Sequence, residues 1–337
     1  MSNNIHETPE RIDAERADRQ KIAADAAEQP ADQPPPAPPR RTVTNRYALP
    51  QALYEAMAAH HRPHDPNVLH VTELVQPPRI QILQQRHEGE IIEDAMDRFW
   101  AFRGTAMHEV IAAMPPKPDR HTELSVSLNH SGILVTGTID LIDGDTLSDW
   151  KFGSVFGVIF DPDGKPEHRA QVNLYRYLLA MSPILPKVQR LQLIYLMNDW
   201  SERRALQGGN YPSKPVVVIE VPMWDNDTAA QYLDERVALY MNCRLVTDDE
   251  LPLCSDKERW RTPTTYAVMK EGRKSALKLH DNRQDAESMA AINGNKCYVE
   301  IRNGEDRRCA KYCSAAPFCD YGRIVLSKQG GQEDESE

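Results

Sequence analysis

The chain has 337 residues, 40% of them hydrophobic, and a formal net charge of −10. That length supports a sizeable buried core, either as one large domain or as a domain with an appendage. No run approaches the ~18–20 apolar residues of a membrane span and no apolar signal region opens the sequence, so a soluble cytoplasmic protein without a membrane partner is expected.

Residues 1–46 are poor in aromatics and end in the run Gln33-Pro34-Pro35-Pro36-Ala37-Pro38-Pro39. They read as a disordered tail with polyproline character. His60, His61 and His64 lie among prolines, in what reads as a loop. Thr72 is placed to cap a short helix that Pro77 and Pro78 stop. Gly89 to Phe102 has apolar residues at helical spacing, and the pattern runs on through His108, which places that histidine on a helix. A lone helical histidine is more often packed or exposed than a ligand.

Glu123 precedes an alternating strand, Leu124–Leu128, and Ile133–Leu141 returns after a turn at 129–132. The stretch from Gly137 to Phe152 reads GTIDLIDGDTLSDWKF. Asp143-Gly144-Asp145 is a tight-turn signal, so Asp140 ends one strand and Asp149 and Lys151 lie on the next. Residues two apart on a strand share a face, which puts Asp149 beside Lys151 with Asp140 brought near by the hairpin. Two carboxylates and an ammonium suit a hard divalent ion facing a phosphodiester, although a solvated surface hairpin has the same composition.

His168–Met181 reads as a helix with Gln171 and Tyr175 one turn apart on one face. Val188–Met197 and Val216–Val221 read as buried strands, and Asp227–Leu245 as an amphipathic helix. The expected fold is α/β, a central mixed sheet flanked by helices over residues 47–248. A cysteine-containing segment, 249–326, packs on it, and 327–337 is an acidic disordered tail. The charge is uneven: Tyr47–Cys254 holds 18 Lys+Arg against 28 Asp+Glu, whereas Ser255–Glu337 holds 15 against 14. Four of those last acids fall in the final five residues, so the remainder of that segment is basic. Six cysteines do not look like a secreted disulfide scaffold.

In order, Thr72-Glu73-Leu74 with Pro77-Pro78-Arg79, Gly104-x-x-x-His108, Gly137-x-x-Asp140, Asp149-Trp150-Lys151 and Gln171-x-x-x-Tyr175 resemble the PD-(D/E)XK nuclease superfamily. The likeness is to its RecB-like branch, with the CRISPR-associated RecB-type exonucleases, the AddB nuclease domain and phage-type members, and it spans about residues 70–320. It implies a restriction-endonuclease-like core and a DNA exonuclease acting in recombination, repair or phage replication, in a bacterial or phage-infected cell. The implied metal ligands are His108, Asp140, Asp149 and the Trp150 carbonyl, for Mg²⁺ or Mn²⁺; a histidine ligand tilts the choice toward Mn²⁺. Lys151 becomes the catalytic lysine, and Gln171 and Tyr175 orient the site or contact the DNA backbone. Glu123 matches a frequent acidic position before the hairpin.

Cys309, Cys313 and Cys319 are similar to the C-terminal triplet of members that carry an iron–sulfur cluster. The usual Cys-x-x-Cys spacing is stretched by one residue here. Pro77 also stands where a distant fourth cysteine often precedes Pro-Arg. Pro252-Leu253-Cys254 with Glu258-Arg259-Trp260 resembles the phage-type segment, which favours Cys254 as fourth ligand, with Cys297 as rival. Four thiolates suit a 4Fe–4S cluster, or zinc as the alternative, and buried free cysteines are the plain reading. DNA is the implied partner, with a recombination or annealing protein as a further candidate. A site-specific endonuclease, or a non-catalytic DNA-binding protein on the same fold, is the alternative.

Overall fold

A long edge-to-edge ladder is the frame of the molecule. In the computed structural model, residues 40–59, 65–182 and 186–333 are described. The expectations for residues 1–39, for His60, His61 and His64, and for residues 334–337 lie outside them. β1 (Thr42–Thr44) and α1 (Gln51–Ala58) come first. β2 (Val68–His70), α2 (Val71–Leu74), α3 (Pro78–Arg86) and β3 (Ile92–Asp94) follow, then α4 (Phe99–Ala112). β4 (Arg120–His130), β5 (Ile133–Asp143) and β6 (Thr146–Gly153) form a meander.

After α5 (Val155–Phe160) and α6 (Pro166–Ala180) come β7 (Arg190–Met197), α7 (Glu202–Ala205), β8 (Val216–Val221) and α8 (Asn226–Leu245). The sheet runs β2-β5-β6-β7-β8, with β4 on the opposite edge of β5. β2 on β5 and β6 on β7 are parallel, and the other pairs are antiparallel, so the sheet is mixed. The α/β class expected for the core is therefore observed. Alternation in β7 buries Leu191, Leu193, Tyr195 and Met197, and α6 lays Val172, Leu174, Tyr175, Leu178 and Leu179 into the same core.

Several expectations are corrected. Pro77 and Pro78 do not merely stop a helix; Pro77 caps α3 and Pro78 is its first residue, where a missing N–H costs nothing. Thr72 lies inside α2, whose N-cap is His70, and the His70 backbone N–H donates to Glu73 Oε2 at 2.9 Å. The helix expected from Gly89 begins only at Phe99, because Ile92–Asp94 pairs with Thr42–Thr44. That same pairing orders part of the expected tail. Asp140 is interior to β5, and the acidic end is helical as far as Glu333 in α11 (Asp320–Glu333).

The largest addition concerns residues beyond 248, to which the sequence reading assigns no strand or helix. β9 (Thr265–Lys270), β10 (Lys278–His280) and β11 (Cys297–Arg302) form an antiparallel sheet of order β10-β9-β11, and α9 (Arg283–Ile292) packs on it. Its strands are short and its buried residues few, Val268, Ala286 and Ala290, too few to leave a clear periodic signal.

Candidate active site and metal centre

The site begins at a fork. Along one edge β5 is paired throughout with β4. Along the other it pairs with β2 at Leu134–Thr136 and with β6 at Leu141–Asp143, leaving 137–140 without a strand partner on that side. Asp140 fills part of the gap, its Oδ2 accepting the Trp150 backbone N–H at 2.8 Å. The fork opens into a cleft of about 660 Å³ lined by His108, Asp140, Asp149, Trp150, Lys151, Gln171 and Tyr175. All seven sequence-predicted residues of the core site therefore meet in one place.

Two clusters share that cleft. His108 Nδ1 lies 3.4 Å from Asp140 Oδ1 and 4.0 Å from Glu123 Oε1. Among the described residues, these three form the one group of histidine, cysteine or carboxylate ligands whose atoms lie within 4.8 Å of one another. Glu123 was expected to precede its strand; it lies within β4, with a left-handed φ of 48°. Asp149, on β6, is almost fully buried, and its Oδ1 accepts Gln171 Nε2 at 3.0 Å. Lys151 Nζ donates to Gln171 Oε1 at 2.9 Å, and Gln171 Nε2 also donates to Tyr175 Oη at 3.0 Å.

Asp149 Oδ2, buried, stands 2.7 Å from the Lys151 ammonium. The two form a close ion pair inside the cleft, the lysine charge offsetting part of the carboxylate's burial. Burial, then the neighbouring Asp140 charge, outweigh Lys151 and push the Asp149 carboxyl up to about 6. Burial followed by Asp140 also raises Glu123, while the hydrogen bond to Asp140 raises His108. Three carboxylates, Glu123, Asp140 and Asp149, converge against one lysine and one histidine. That donor set fits a hard or borderline divalent ion, whose charge relieves the repulsion.

Gly137 explains how Tyr175 gets there. A Cβ on Gly137 would collide with the Tyr175 ring, so only glycine lets α6 lay this side chain across β5. Sequence reasoning missed the rest of the wall: His70, Ser125, Ser127, Thr136 and Thr138. Thr136 pairs with Ser127 and Thr138 with Ser125 across the ladder, and Thr136 Oγ1 is 2.7 Å from His70 Nδ1. The alternating Ser-Val-Ser and Thr-Gly-Thr were the available signal, legible only once the strands were paired.

The cysteines gather elsewhere. Cys254, Cys309, Cys313 and Cys319 line one small cavity, all as free thiols, with α10 (Arg307–Lys311) and α11 on its rim. Cys297, the rival ligand, instead packs on the β9–α9 core and is set aside. Burial pushes the Cys254 thiol up to about 12 and Cys309 up to about 11. No three of the four sulfurs lie within 4.8 Å of one another. A tetrahedral zinc site needs sulfurs about 3.8 Å apart, given its Zn–S distance of about 2.3 Å.

Arg79, buried, clamps the segment to the core, through Leu251 O, Asp320 and, at 3.1 Å, Cys319 Sγ. Part of its basic charge is spent internally, since Arg259 and Arg261 both bind Asp306.

Among the described residues, no helix is long and apolar enough to cross a membrane. No family model and no curated protein matches the chain. Among solved structures, one titled "Crystal structure of SSO0001" is similar at 17% identity and a TM-score of 0.39, over 56% of this chain and 84% of that one.

Proposed function

We propose that this chain is a divalent-metal-dependent DNA nuclease of the RecB-like PD-(D/E)XK type, working as an exonuclease on DNA ends. The observation that carries the proposal is the convergence of His108, Asp140, Asp149 and Lys151, from one helix and two strands, on a single cleft, with Glu123 of a third strand within ligand distance of His108 and Asp140. His108, Asp140 and Asp149 would hold the ion, with Glu123 in reach and the Trp150 carbonyl as a further ligand. A divalent ion there supplies Lewis acidity toward a phosphate oxygen and makes a water nucleophilic near neutral pH.

The chain's own residues do the rest. Gln171 bonds both Asp149 and Lys151, fixing the ammonium where it can donate to the scissile phosphate. Tyr175, in hydrogen bond with Gln171, braces that amide. The Ser125, Ser127, Thr136 and Thr138 hydroxyls offer uncharged contacts to a sugar–phosphate backbone. The cysteine cavity is the proposed seat of a 4Fe–4S cluster, which would tie the C-terminal segment to α3.

End-labelled linear DNA and a circular single strand, each with Mn²⁺ or Mg²⁺, test the activity. Metal-dependent loss of the linear label with the circle uncut is expected. Cleavage of the circle would make it an endonuclease, and binding without cleavage at any metal concentration would sink the catalytic assignment. An anaerobic preparation should be brown and bleach on reduction; a colourless one with stoichiometric zinc would replace the cluster.

A further inference from the structure

Behind α6, on the side away from Gln171 and Tyr175, lies a second cavity of about 500 Å³. Its walls come from α6, the Val75–Pro77 turn, the Val221–Trp224 strand end, α8 and the Ser255–Trp260 loop. Four cations line it: Arg169, Arg236, Lys257 and Arg308. Two acids do as well, but Glu258 is turned onto the Ser255 N–H and hydroxyl at 2.7 and 2.9 Å, leaving Glu167 as the acid facing the space.

Three of the cations are already engaged. Arg236 donates to Leu74 O and Gln76 O, Lys257 pairs with Asp161, and Arg308 donates to Glu258 O and Gln76 Oε1. Arg169 differs. Its guanidinium has no hydrogen bond or ion pair among the described residues, and its Nε is buried without a partner. A buried guanidinium donor without an acceptor is costly, and an oxyanion is the group that satisfies its planar fork.

The aromatic wall points to the rest of the ligand. Trp224, Tyr232 and Trp260 all face the cavity. Trp260 is held at a φ of 54°, a conformation a bulky side chain rarely adopts, and its ring lies under the Arg308 guanidinium at 5.3 Å. A strained aromatic stacked on a cation beside an unsatisfied arginine suits a flat heterocycle joined to a phosphate. We infer that this cavity binds a phosphorylated nucleoside, its phosphate on Arg169 and its base against the tryptophans. The source is either a free mononucleotide or the phosphorylated end of a strand. The inference stands apart from the nuclease assignment, since no residue of the cleft lines this cavity except through the shared helix.

Equilibrium dialysis of the full chain in chelator, with thymidine 5′-monophosphate as probe, tests it. One saturable site is expected, with thymidine and inorganic phosphate each at least about tenfold weaker. Arg169→Gln should weaken the nucleotide at least about tenfold, and its fold should survive, because no protein group loses a partner. Trp260→Ala should weaken it too, whereas Lys151→Ala, in the cleft, should leave it unchanged. Absence of binding, indifference to Arg169→Gln, or equal loss in Lys151→Ala would each overturn the site. Displacement of the probe by a 5′-phosphorylated oligonucleotide but not by its 5′-hydroxyl twin assigns a strand end. Displacement by neither assigns the free nucleotide, and equal displacement by both refutes a phosphate-end requirement.

Discussion

The acidic cleft and the cysteine cavity are built by opposite means. In the cleft, strand register does the positioning: Asp140, Asp149 and Lys151 are held by ladders continuous with the sheet, and Gln171 projects from a buried helix. Around the cysteines the backbone is loop and short helix, and the attachment to the core runs through Arg79, a Gln84–Ser314 hydrogen bond at 2.8 Å and the His87–Phe318 stack at 4.3 Å. Register needs no ligand to maintain it, whereas a metal held by loop thiols would contribute to folding. On the function proposed above, metal is a reagent in one region and a structural member in the other.

The largest effect that would break this contrast is catalytic. Lys151→Ala or Asp149→Ala should lower cleavage by about 10³-fold or more while leaving the thermal midpoint nearly unchanged for the lysine; single-turnover assays and calorimetry read both. Full activity in either variant removes the cleft from the chemistry. Next, Cys313→Ser should strip the bound metal and expose the segment after Leu251 to limited proteolysis, with the strand ladder still intact by circular dichroism. Arg79→Ala should act on the same junction without touching a thiol, costing about 1–3 kcal/mol through its lost bonds. Unaltered proteolysis in both variants would mean the segment is held by something else.

Gly137→Ala sharpens the cleft side. The added methyl meets the Tyr175 ring, and a cost of about 1–3 kcal/mol is expected, with a fall in kcat as Gln171 loses its brace. Tyr175→Phe in the same background should recover neither, because the clash is with ring carbons.

The smallest effect is a pH dependence. Burial, then Lys151 and Lys165, pushes the His168 imidazole down to about 2 from its ordinary 6.5, and its Nδ1 lies 2.9 Å from Tyr195 Oη. A histidine whose folded value is depressed binds protons more readily when unfolded. Stability is then complete above about 6.5 and falls as pH drops, by up to roughly 1.4 kcal/mol per unit. His168→Gln should flatten urea midpoints between pH 6.5 and 5; an unchanged slope would show that the imidazole is not what titrates.

The amino-acid order carried the core elements and most of the cleft. Alternation marked β4 to β6 and apolar runs marked β7 and β8, and the spacing Asp149-x-Lys151 and Gln171-x-x-x-Tyr175 follows from the periods of strand and helix, which are local properties of the chain. His108 and Glu123 were harder, since neither sits in a local pattern that distinguishes a ligand from a surface residue. Folding alone could show that β4, β5 and α4 bring them within ligand distance of Asp140. The β9–α9 module escaped because its core is too small to impose a period. The placing of Cys254 with the C-terminal thiols and of Cys297 elsewhere, the burial of Asp149 and the Arg169 Nε without a partner among the described residues all depend on which distant segments meet. Such meetings are set by sheet register and helix packing, non-local terms that no window along the sequence contains.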